Sequence, residues 1–442
     1  MANKPLVFKT TAKAWVFDSD ADTVTQITDA EYPATTVPGL VYLDGAWYVM
    51  TPDAEIYGSE IDTPTAWTAL NFITAETETD AGIAIAKYLN YLVAFGQWTT
   101  EFFYNAAQEA PASPLLRAEN MFLQVGCVSA KSINQCDNSI IWMGQTKENQ
   151  SGASYGRAIM QLAGTKSRVI STPLIDSILM GDDLSTVHSL VFKYAGHSFY
   201  VLTLVTSNIT LVYDLTTDMW YQWSSMTAQS PKSVTSLTYS SATGLAIATV
   251  ASHGYADGDI ITIAGADQSA YNTTENITYL TANTFSYPVS GSPVTPATGT
   301  ITATGYTEGY FKLVKHTSTV TANLFADTSS GKLFAMAATD SGDSGVYINQ
   351  LIRTQVLDGG NNEYKVFEAV DLIGDRVSGN ALIRYSKDDY QSFSKYRKVD
   401  LSLVRSHLSR IGRARRISFD IRITDSVSTR LERMDIKLEG GE

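Results

Sequence analysis

Histidine and cysteine are the side chains of this sequence that could bind a metal ion or act as nucleophiles. None of the five histidines stands in an H-x-x-x-H or H-E-x-x-H spacing, which excludes the usual zinc motifs. Cys127 and Cys136 are nine residues apart with no third thiol, so an all-cysteine metal centre is impossible. We therefore expect no metal and no cofactor, and we expect both cysteines to be small buried core residues.

Paired carboxylates could act as the acid and base of glycoside hydrolysis. The sequence has 45 aspartates and glutamates, so close pairs arise by chance and indicate little. We expect three such pairs to be turn or rim residues: Asp53 with Glu55, Asp182 with Asp183, and Asp388 with Asp389. No P-loop, G-x-G-x-x-G or G-x-S-x-G motif follows a predicted strand. The sequence thus predicts a protein that is not an enzyme and has no catalytic residues.

The strongest local concentration of charge lies between positions 397 and 416. Seven basic residues stand there against Asp400, a net charge of +6: Arg397, Lys398, Arg405, Arg410, Arg413, Arg415 and Arg416. The whole chain carries −13, so the other 422 residues carry −19. A basic stretch beside an acidic body suits docking to an acidic protein or contact with DNA phosphates. The alternative is a solvated surface whose cations pair with the chain's own carboxylates.

Composition limits the class of protein that can present these residues. The chain has 442 residues, of which 44% are hydrophobic, 17% charged and 11% aromatic, including 24 tyrosines. It is too apolar to be disordered and too acidic to bind nucleic acid over its whole surface. No apolar run is long enough for a transmembrane helix, and the first thirteen residues lack the apolar core of a secretory signal. Two cysteines cannot form a disulfide scaffold.

Strand patterns dominate the sequence. Segments of alternating polarity rich in Val, Ile, Thr, Tyr and Phe are broken by Gly, Asp, Asn and Ser, for example at 39–50 and 88–95. The stretch 197–223 predicts three strands, His197 to Val205, Ile209 to Asp214 and Met219 to Trp223, joined by two turns. Such a meander ending in aromatics is typical of a β-propeller blade, whose large side chains fill the space between blades. We predict an all-β chain with a β-propeller of six to seven blades; the alternative is an aromatic-rich β-sandwich.

One segment differs from the rest of the chain. No Lys or Arg occurs between 233 and 311, and Thr and Ala dominate there. His253, Gly254, Gly258 and Asp259 resemble the "HG-x-x-x-GD" turn of a small β-module often inserted in phage virion proteins. We predict three parts: 1–233, the first part of the propeller; 234–305, an inserted Thr-rich β-module; and 306–442, the remainder of the propeller with C-terminal strands. The alternative for the middle part is a long blade loop.

The segment 386–393 resembles the S-x-D-x-G-x-T-W "Asp box" found in sialidases and other propellers. Ser386 and Asp388 match this motif, Ser392 and Phe393 are conservative replacements, and Tyr390 replaces the glycine. The resemblance implies a hairpin turn in which Asp388 accepts backbone N–H bonds, as in Asx-turns.

Four stretches resemble the packaged-DNA stabilization proteins (tail hub or nozzle proteins) of short-tailed bacteriophages. They are 92–107 (LVAFGQWTTEFFYNAA), 124–144 (QVGCVSAKSINQCDNSIIWMG), 168–175 (RVISTPLI) and 412–425 (GRARRISFDIRITD). Together they follow the order of the family's motifs over most of the chain, apart from the Thr-rich segment.

The resemblance implies a structural virion protein of the phage tail, assembled in the cytoplasm of the host bacterium. Six copies would form a homo-oligomeric ring below the portal and adaptor, continue the channel for double-stranded DNA without binding it specifically, retain the packaged genome and take part in its ejection. A tail needle, plug or tailspike would bind the ring, and no membrane is involved. From charge, we expect the basic stretch 397–416 to dock a neighbouring subunit or the adaptor. Two alternatives remain: a carbohydrate-binding or glycosidase-like propeller for host receptor recognition, and a bacterial propeller scaffold unrelated to phage.

Overall fold

The computed structural model describes residues 6–78, 80–108, 112–147, 155–164, 166–318, 323–327, 331–336, 342–343, 346–425 and 427–440. They form two compact units. The first unit takes its described residues from 1–223 and 310–335, and the second takes them from 224–309 and 336–442.

The first unit consists of small antiparallel sheets whose strands follow one another along the chain. Sheet 1 contains β1 to β3 (Leu6–Lys9, Ala14–Asp18, Thr23–Gln26). Sheet 2 contains β4 to β7 (Val41–Leu43, Ala46–Met50, Glu55–Glu60, Thr63–Thr74). Sheet 3 contains β8 to β11 (Gly82–Tyr88, Tyr91–Gly96, Thr100–Asn105, Leu115–Leu123). Sheet 4 contains β12 to β16 (Gly126–Cys127, Asn134–Cys136, Ser139–Lys147, Tyr155–Ala163, Lys166–Val169).

Sheet 5 contains β17 to β20 (His188–Tyr194, His197–Leu204, Ile209–Asp214, Met219–Ala228). Its last three strands confirm the meander predicted for 197–223, with both turns in the predicted places. The helical elements are short: α1 (Pro173–Gly181) and the 3-10 turns Ala130–Ser132, Leu184–Thr186 and Ser269–Tyr271. Helix α1 begins where Thr172 accepts a hydrogen bond from the Ile175 amide, with proline at the first helical position.

Both faces of sheets 2, 3 and 4 are buried, which explains strands such as β5 and β14 that are apolar at consecutive positions. In β5, Trp47 packs in the cluster with sheet 1, whereas the next residue, Tyr48, packs in the cluster with sheet 3. In β14, Trp142 packs against sheet 3 and Met143 against sheet 5. Because side chains alternate between the two faces of a strand, each of these three sheets contributes to two successive cores. The sheets of this unit therefore pack in chain order.

Residues of the motif at 124–144 fix the contact between sheets 3 and 4. The indole Nε1 of Trp142 donates a hydrogen bond of 3.1 Å to the carbonyl of Gly126. A Cβ atom on Gly126 would lie 2.2 Å from the carbonyl oxygen of Gln97, so only glycine fits. Phe95, from the motif at 92–107, meets the ring of Trp142 edge-on at 5.5 Å. These two motifs therefore have a packing role.

In the second unit, the Thr-rich segment forms two sheets with a core of their own. Its strands are β21 to β28 (Lys232–Ser233, Ser236–Ser240, Leu245–Thr249, Ile260–Ala266, Thr274–Asn276, Thr278–Thr281, Thr284–Pro288, Gly299–Tyr310). Sheet 7 has the order β28-β24-β25 with β21 on β28 and continues from the end of β20, which pairs with β28; sheet 8 has the order β22-β23-β27-β26. The buried side chains between them include Tyr271, Phe285 and Tyr287. We call this part the Thr-rich sandwich.

His253 of the "HG-x-x-x-GD" turn is 1% exposed inside this sandwich. Its Nδ1 accepts the amide of Tyr255 at 3.0 Å, and its Nε2 donates to the carbonyl of Thr281 at 2.9 Å. Both ring nitrogens are therefore used by the backbone, which assigns this histidine a structural role.

The chain then returns to the first unit with sheet 6, made of β29 to β31 (Leu313–Ser318, Asn323–Asp327, Leu333–Met336). Phe325 of this sheet meets the ring of Phe192 in sheet 5 edge-on at 5.2 Å. The described residues of the first unit thus form six successive sheets, and the sixth is separated from the fifth in sequence by the Thr-rich sandwich.

The remaining strands are β32 to β40 (Gly342–Asp343, Val346–Tyr347, Gln350–Arg353, Lys365–Gly374, Asn380–Ser386, Arg397–Asp400, Ser406–Ala414, Ser418–Ile423, Leu431–Gly440). β32 pairs with β33. Sheet 9 has the order β34-β39-β36-β37 and sheet 10 the order β38-β35-β40. They share a core containing Phe367, Ile383 and Phe419. We call this part the C-terminal sandwich.

The unit boundaries lie at other positions than the predicted domain limits. The Thr-rich sandwich and the C-terminal sandwich lie in one unit, and the described residues of 310–335 belong to the other. The division into 1–233, 234–305 and 306–442 stays a prediction. No helix in the described part of the chain is long and apolar enough to span a membrane.

Candidate basic interface

The seven basic residues predicted at 397–416 all belong to the C-terminal sandwich, but they do not share one environment. Arg397 and Lys398 lie on β37, Arg410 and Arg413 on β38, and the others in the connections that flank β38. The structure separates them into two paired cations, one cation beside the Thr-rich sandwich, and a group along β38.

Arg405 and Arg416 pair with carboxylates of the same sandwich. The distance between Arg416 and an Asp389 oxygen is 2.5 Å, and that between Arg405 and an Asp371 oxygen is 3.8 Å. The Asp371 side chain is 2% exposed and also contacts His407. The hydrogen bond from His407 holds the pKa of Asp371 below its usual range, although burial opposes it. These two arginines thus have carboxylate partners within the same sandwich, which is the arrangement that the alternative interpretation expects.

Lys398 faces a different neighbour. It lines a cleft of about 280 Å³ together with Asp257 and Glu275 of the Thr-rich sandwich. Burial raises the pKa of Glu275, and the charge of Lys398 partly offsets this rise. Lys398 is thus part of the contact between the two sandwiches of this unit.

The other cations follow the segment 409–415. Arg397 donates a hydrogen bond of 2.6 Å to the carbonyl of Ser409, and Lys387 donates one of 2.8 Å to the carbonyl of Ile411. Arg413 and Arg415 belong to the segment itself, as does exposed Arg410. We call this group the basic row: Lys387, Arg397, Arg410, Arg413 and Arg415.

Two tyrosines position four cations of the basic row. The guanidinium groups of Arg413 and Arg415 each lie 4.9 Å from the ring centre of Tyr364. Lys387 lies 5.3 Å and Arg397 5.8 Å from the ring centre of Tyr385. Cations at these distances are attracted by the negative face of an aromatic ring. The tyrosines therefore reduce the conformational freedom of side chains that would otherwise move widely in water.

Sheet 9 contains a buried carboxylate that the sequence reasoning missed. Asp420 is fully buried and accepts hydrogen bonds from Arg353 at 2.7 and 2.9 Å and from Arg384 at 2.9 and 3.1 Å. Burial alone would raise the pKa of Asp420, but the two arginines outweigh it and lower the pKa. Arg384 also stacks on Phe393 at 4.2 Å and on Tyr396 at 4.6 Å. The alternation of charged and apolar residues in the motif at 412–425 was the available signal.

The turn predicted at 386–393 is present. Asp388 accepts the amide of Ser392 at 2.9 Å and the hydroxyl of Ser386 at 2.7 Å. Hydrogen bonds from Ser392 and Ser386 lower the pKa of Asp388 to about 2. The expected role of Asp388 in shaping the turn is therefore confirmed.

The other candidate chemical groups have structural partners. Asp182 accepts the amide of Ser207, and Asp183 accepts the amide of Ser185 at the start of a 3-10 turn. Cys127 and Cys136 are free thiols, 0% and 4% exposed, which confirms that they are buried core residues. In the described part of the chain, no three His, Cys, Asp or Glu side chains are placed to hold a metal ion.

Comparison with known families adds the deciding observation. Residues 3–235, slightly more than half of the chain, match the phage-stabilisation family described as bacteriophage P22 Gp10, beta-propeller. The chain belongs to this family. The predicted family, the all-β class and the β-propeller fold are confirmed, and the protein is a structural, DNA-stabilising component of a phage virion. No curated protein sequence matches the chain.

Solved structures show weaker likeness. BamB from Moraxella catarrhalis shares 9% sequence identity, with 76% of this chain and 94% of that chain covered and a TM-score of 0.32. The computationally designed Ika8 protein shares 11% identity, with 74% and 81% covered and a TM-score of 0.31. At such TM-scores, neither likeness adds to the functional argument. The interface role of the seven basic residues stays a prediction.

Proposed function

We propose that this phage protein is the hub or nozzle of a short tail and works without catalysis. Six copies form a ring below the portal and adaptor, continue the DNA channel, retain the packaged genome and take part in its ejection. The match of residues 3–235 to the phage propeller family carries this proposal. The tail ring is assembled in the host cytoplasm.

The packing of the first unit supports a structural role. Each of sheets 1 to 4 shares a buried core with the next sheet, so the unit resists deformation under the pressure of a packaged genome. In a head-to-tail ring, one surface of each copy binds a different surface of the next copy. The ring forms when the rotation from copy to copy brings the last copy back to the first.

Charge supports the role in the channel. Outside 397–416 the chain carries −19, and an acidic channel wall repels DNA phosphates, so that the duplex slides without sticking. The acidic loops face the channel in this proposal. Portal and adaptor bind one end of the ring, and a needle, plug or tailspike binds the other.

A phage that lacks the gene tests the proposal. Particles made without the protein should fill and then lose their DNA, measured as nuclease-sensitive genome in purified heads, and expression from a plasmid should restore retention. Cryo-microscopy of wild-type tails should show six copies of the chain below the adaptor. Particles that retain DNA without the protein would contradict the proposal, and cleavage of a host polysaccharide by the purified chain would favour the carbohydrate alternative.

A further inference from the structure

The exposed surface of segment 409–416 has an unusual composition. Its exposed residues are only serine, glycine and arginine, while Ile411 and Ala414 are buried. Within the described part of the chain, Arg410, Arg413 and Arg415 have no carboxylate oxygen within 4.0 Å. The segment thus presents unneutralised guanidinium groups and no exposed apolar side chain of its own; opposite Arg413 on β35, Val366 is 37% exposed.

This composition distinguishes between two classes of partner. Protein interfaces usually depend on a few desolvated aromatic or apolar side chains at their centre. Here Tyr364 and Tyr385 already contact cations of the same chain. Contacts to nucleic-acid backbones, by contrast, are made mainly by arginine, lysine, serine and backbone groups to phosphate oxygens. The surface therefore fits a phosphate backbone better than an acidic protein.

The dimensions of the row also suit a duplex. From Ser409 to Arg415 the segment advances roughly 17 Å at about 3.3 Å per residue, because the β-bulge at Arg410 and Ile411 takes up one residue without advancing the strand. Double-stranded DNA carries one charge per roughly 1.7 Å of its axis, so several phosphates lie within reach of the row. A guanidinium stacked on a ring still directs its N–H groups outward in its own plane, where it can bind a phosphate bidentately.

We infer that the basic row binds the phosphate backbone of double-stranded DNA without reading its sequence. The inference rests on the proposed function only in taking the virion's DNA as the partner. Outside 397–416 the chain carries a net charge of −19, which repels a duplex. The basic row is therefore the proposed binding site for DNA.

The test measures binding of the full chain to a labelled 30-base-pair duplex by fluorescence anisotropy at several salt concentrations. Each phosphate contact contributes about −0.9 to the slope of log K against log salt, so we expect a slope of about −3 to −4. The triple variant Arg410→Gln, Arg413→Gln, Arg415→Gln should bind at least tenfold more weakly at low salt, with a slope nearer zero. The matching triple Arg→Lys variant keeps the charges and should retain most of the binding.

A matched control uses arginines that already have acidic partners. Arg430 pairs with Asp375 and Glu432, and Arg433 pairs with Asp435, so Arg430→Gln with Arg433→Gln should leave binding unchanged. Equal thermal melting of all variants shows that they are folded. AT-rich and GC-rich duplexes should bind equally.

Three results would overturn the inference. They are wild-type affinity in the Arg→Gln triple variant, an equal loss in the control variant, and competition by poly-glutamate as effective as by DNA at equal charge. The last result would assign the row to an acidic protein partner. None of these results depends on where the protein sits in the virion, so genome retention by particles that contain the variant tests the proposed function separately.

Discussion

The indole of Trp142 donates a hydrogen bond of 3.1 Å to the carbonyl of Gly126, and this bond joins two residues of one family motif. Gly126 lies so close to the backbone of Gln97 that a Cβ atom has no space. The motif that led to the family is therefore explained by packing between sheets 3 and 4.

The first prediction concerns Gly126→Ala. The new Cβ must displace the backbone of Gln97, so we expect the free energy of unfolding to fall by about 2–4 kcal/mol, measured by urea denaturation. Gly181→Ala is the control, because no atom lies within 4 Å of its Cβ position. A similar small effect of both substitutions would contradict the packing role of Gly126.

A second prediction concerns Asp420→Asn. The substitution leaves Arg353 and Arg384 without the negative charge of their buried partner, so we expect a loss of about 3–5 kcal/mol near pH 7. The pKa of Asp420 is lowered in the folded chain, so its stabilising effect is present above the unfolded pKa of about 3.9. As pH falls through the folded pKa this contribution is lost, and the difference between wild type and variant should shrink.

The control for Asp420 is Asp435→Asn. Asp435 forms a partly exposed pair with Arg433, which is worth at most about 1 kcal/mol. Unfolding curves at several pH values give all the differences. A difference for Asp420→Asn that stays constant down to pH 2 would show that the carboxylate charge is not what stabilises sheet 9.

The third prediction concerns the contact between the two sandwiches of the second unit. A Cβ on Gly258 would lie 2.6 Å from the ring of Tyr396, and Arg422 donates to the carbonyl of Gly258 at 3.1 Å. Gly258→Ala should therefore speed amide hydrogen exchange in the peptide around Tyr396. Gly254→Ala is a close control, because Gly254 also has a positive φ but its nearest neighbour, Lys232, is 4.0 Å away. Equal exchange in both variants would refute the contact.

The fourth prediction concerns the two thiols. Burial raises the pKa of Cys127 to about 12 and that of Cys136 to about 11, which disfavours the reactive thiolate. At pH 8 the folded chain should release almost no thionitrobenzoate from Ellman's reagent, whereas the chain in guanidinium should release two equivalents. Thr206→Cys, at an exposed position, provides a positive control for the folded state. Fast reaction of two thiols in the folded wild type would contradict their burial.

Local patterns predicted strands better than they predicted turns. The meander at 197–223 could be predicted because its turns contain Asn, Thr and Asp, which favour such conformations. The segment 88–95 reads as one alternating strand, but the structure has a hairpin there, with β8 ending at Tyr88 and β9 beginning at Tyr91. Leu89 adopts a positive φ of 52° in that turn, and leucine gives no sequence signal for this conformation.

The position of the basic cluster in the sequence could be predicted, whereas the partners of its individual cations could not. Charge counting located the cluster at 397–416, but the strand register decides which cation meets a carboxylate. Asp371 lies on β35, so its contact with Arg405 depends on pairing between distant strands. Arg353 and Arg384 are 67 and 36 residues from Asp420, a separation at which no local pattern connects them.

The interruption between sheets 5 and 6 has a consequence for folding on the ribosome. Phe192 is synthesised 133 residues before Phe325, so the first unit cannot complete its last core until the whole Thr-rich sandwich has emerged. The pairing of Lys232 with Ala303 brings the ends of that sandwich together. A folded Thr-rich sandwich therefore acts as a short connection, which lowers the entropic cost of closing the loop. Early folding of the inserted segment should speed completion of the propeller unit.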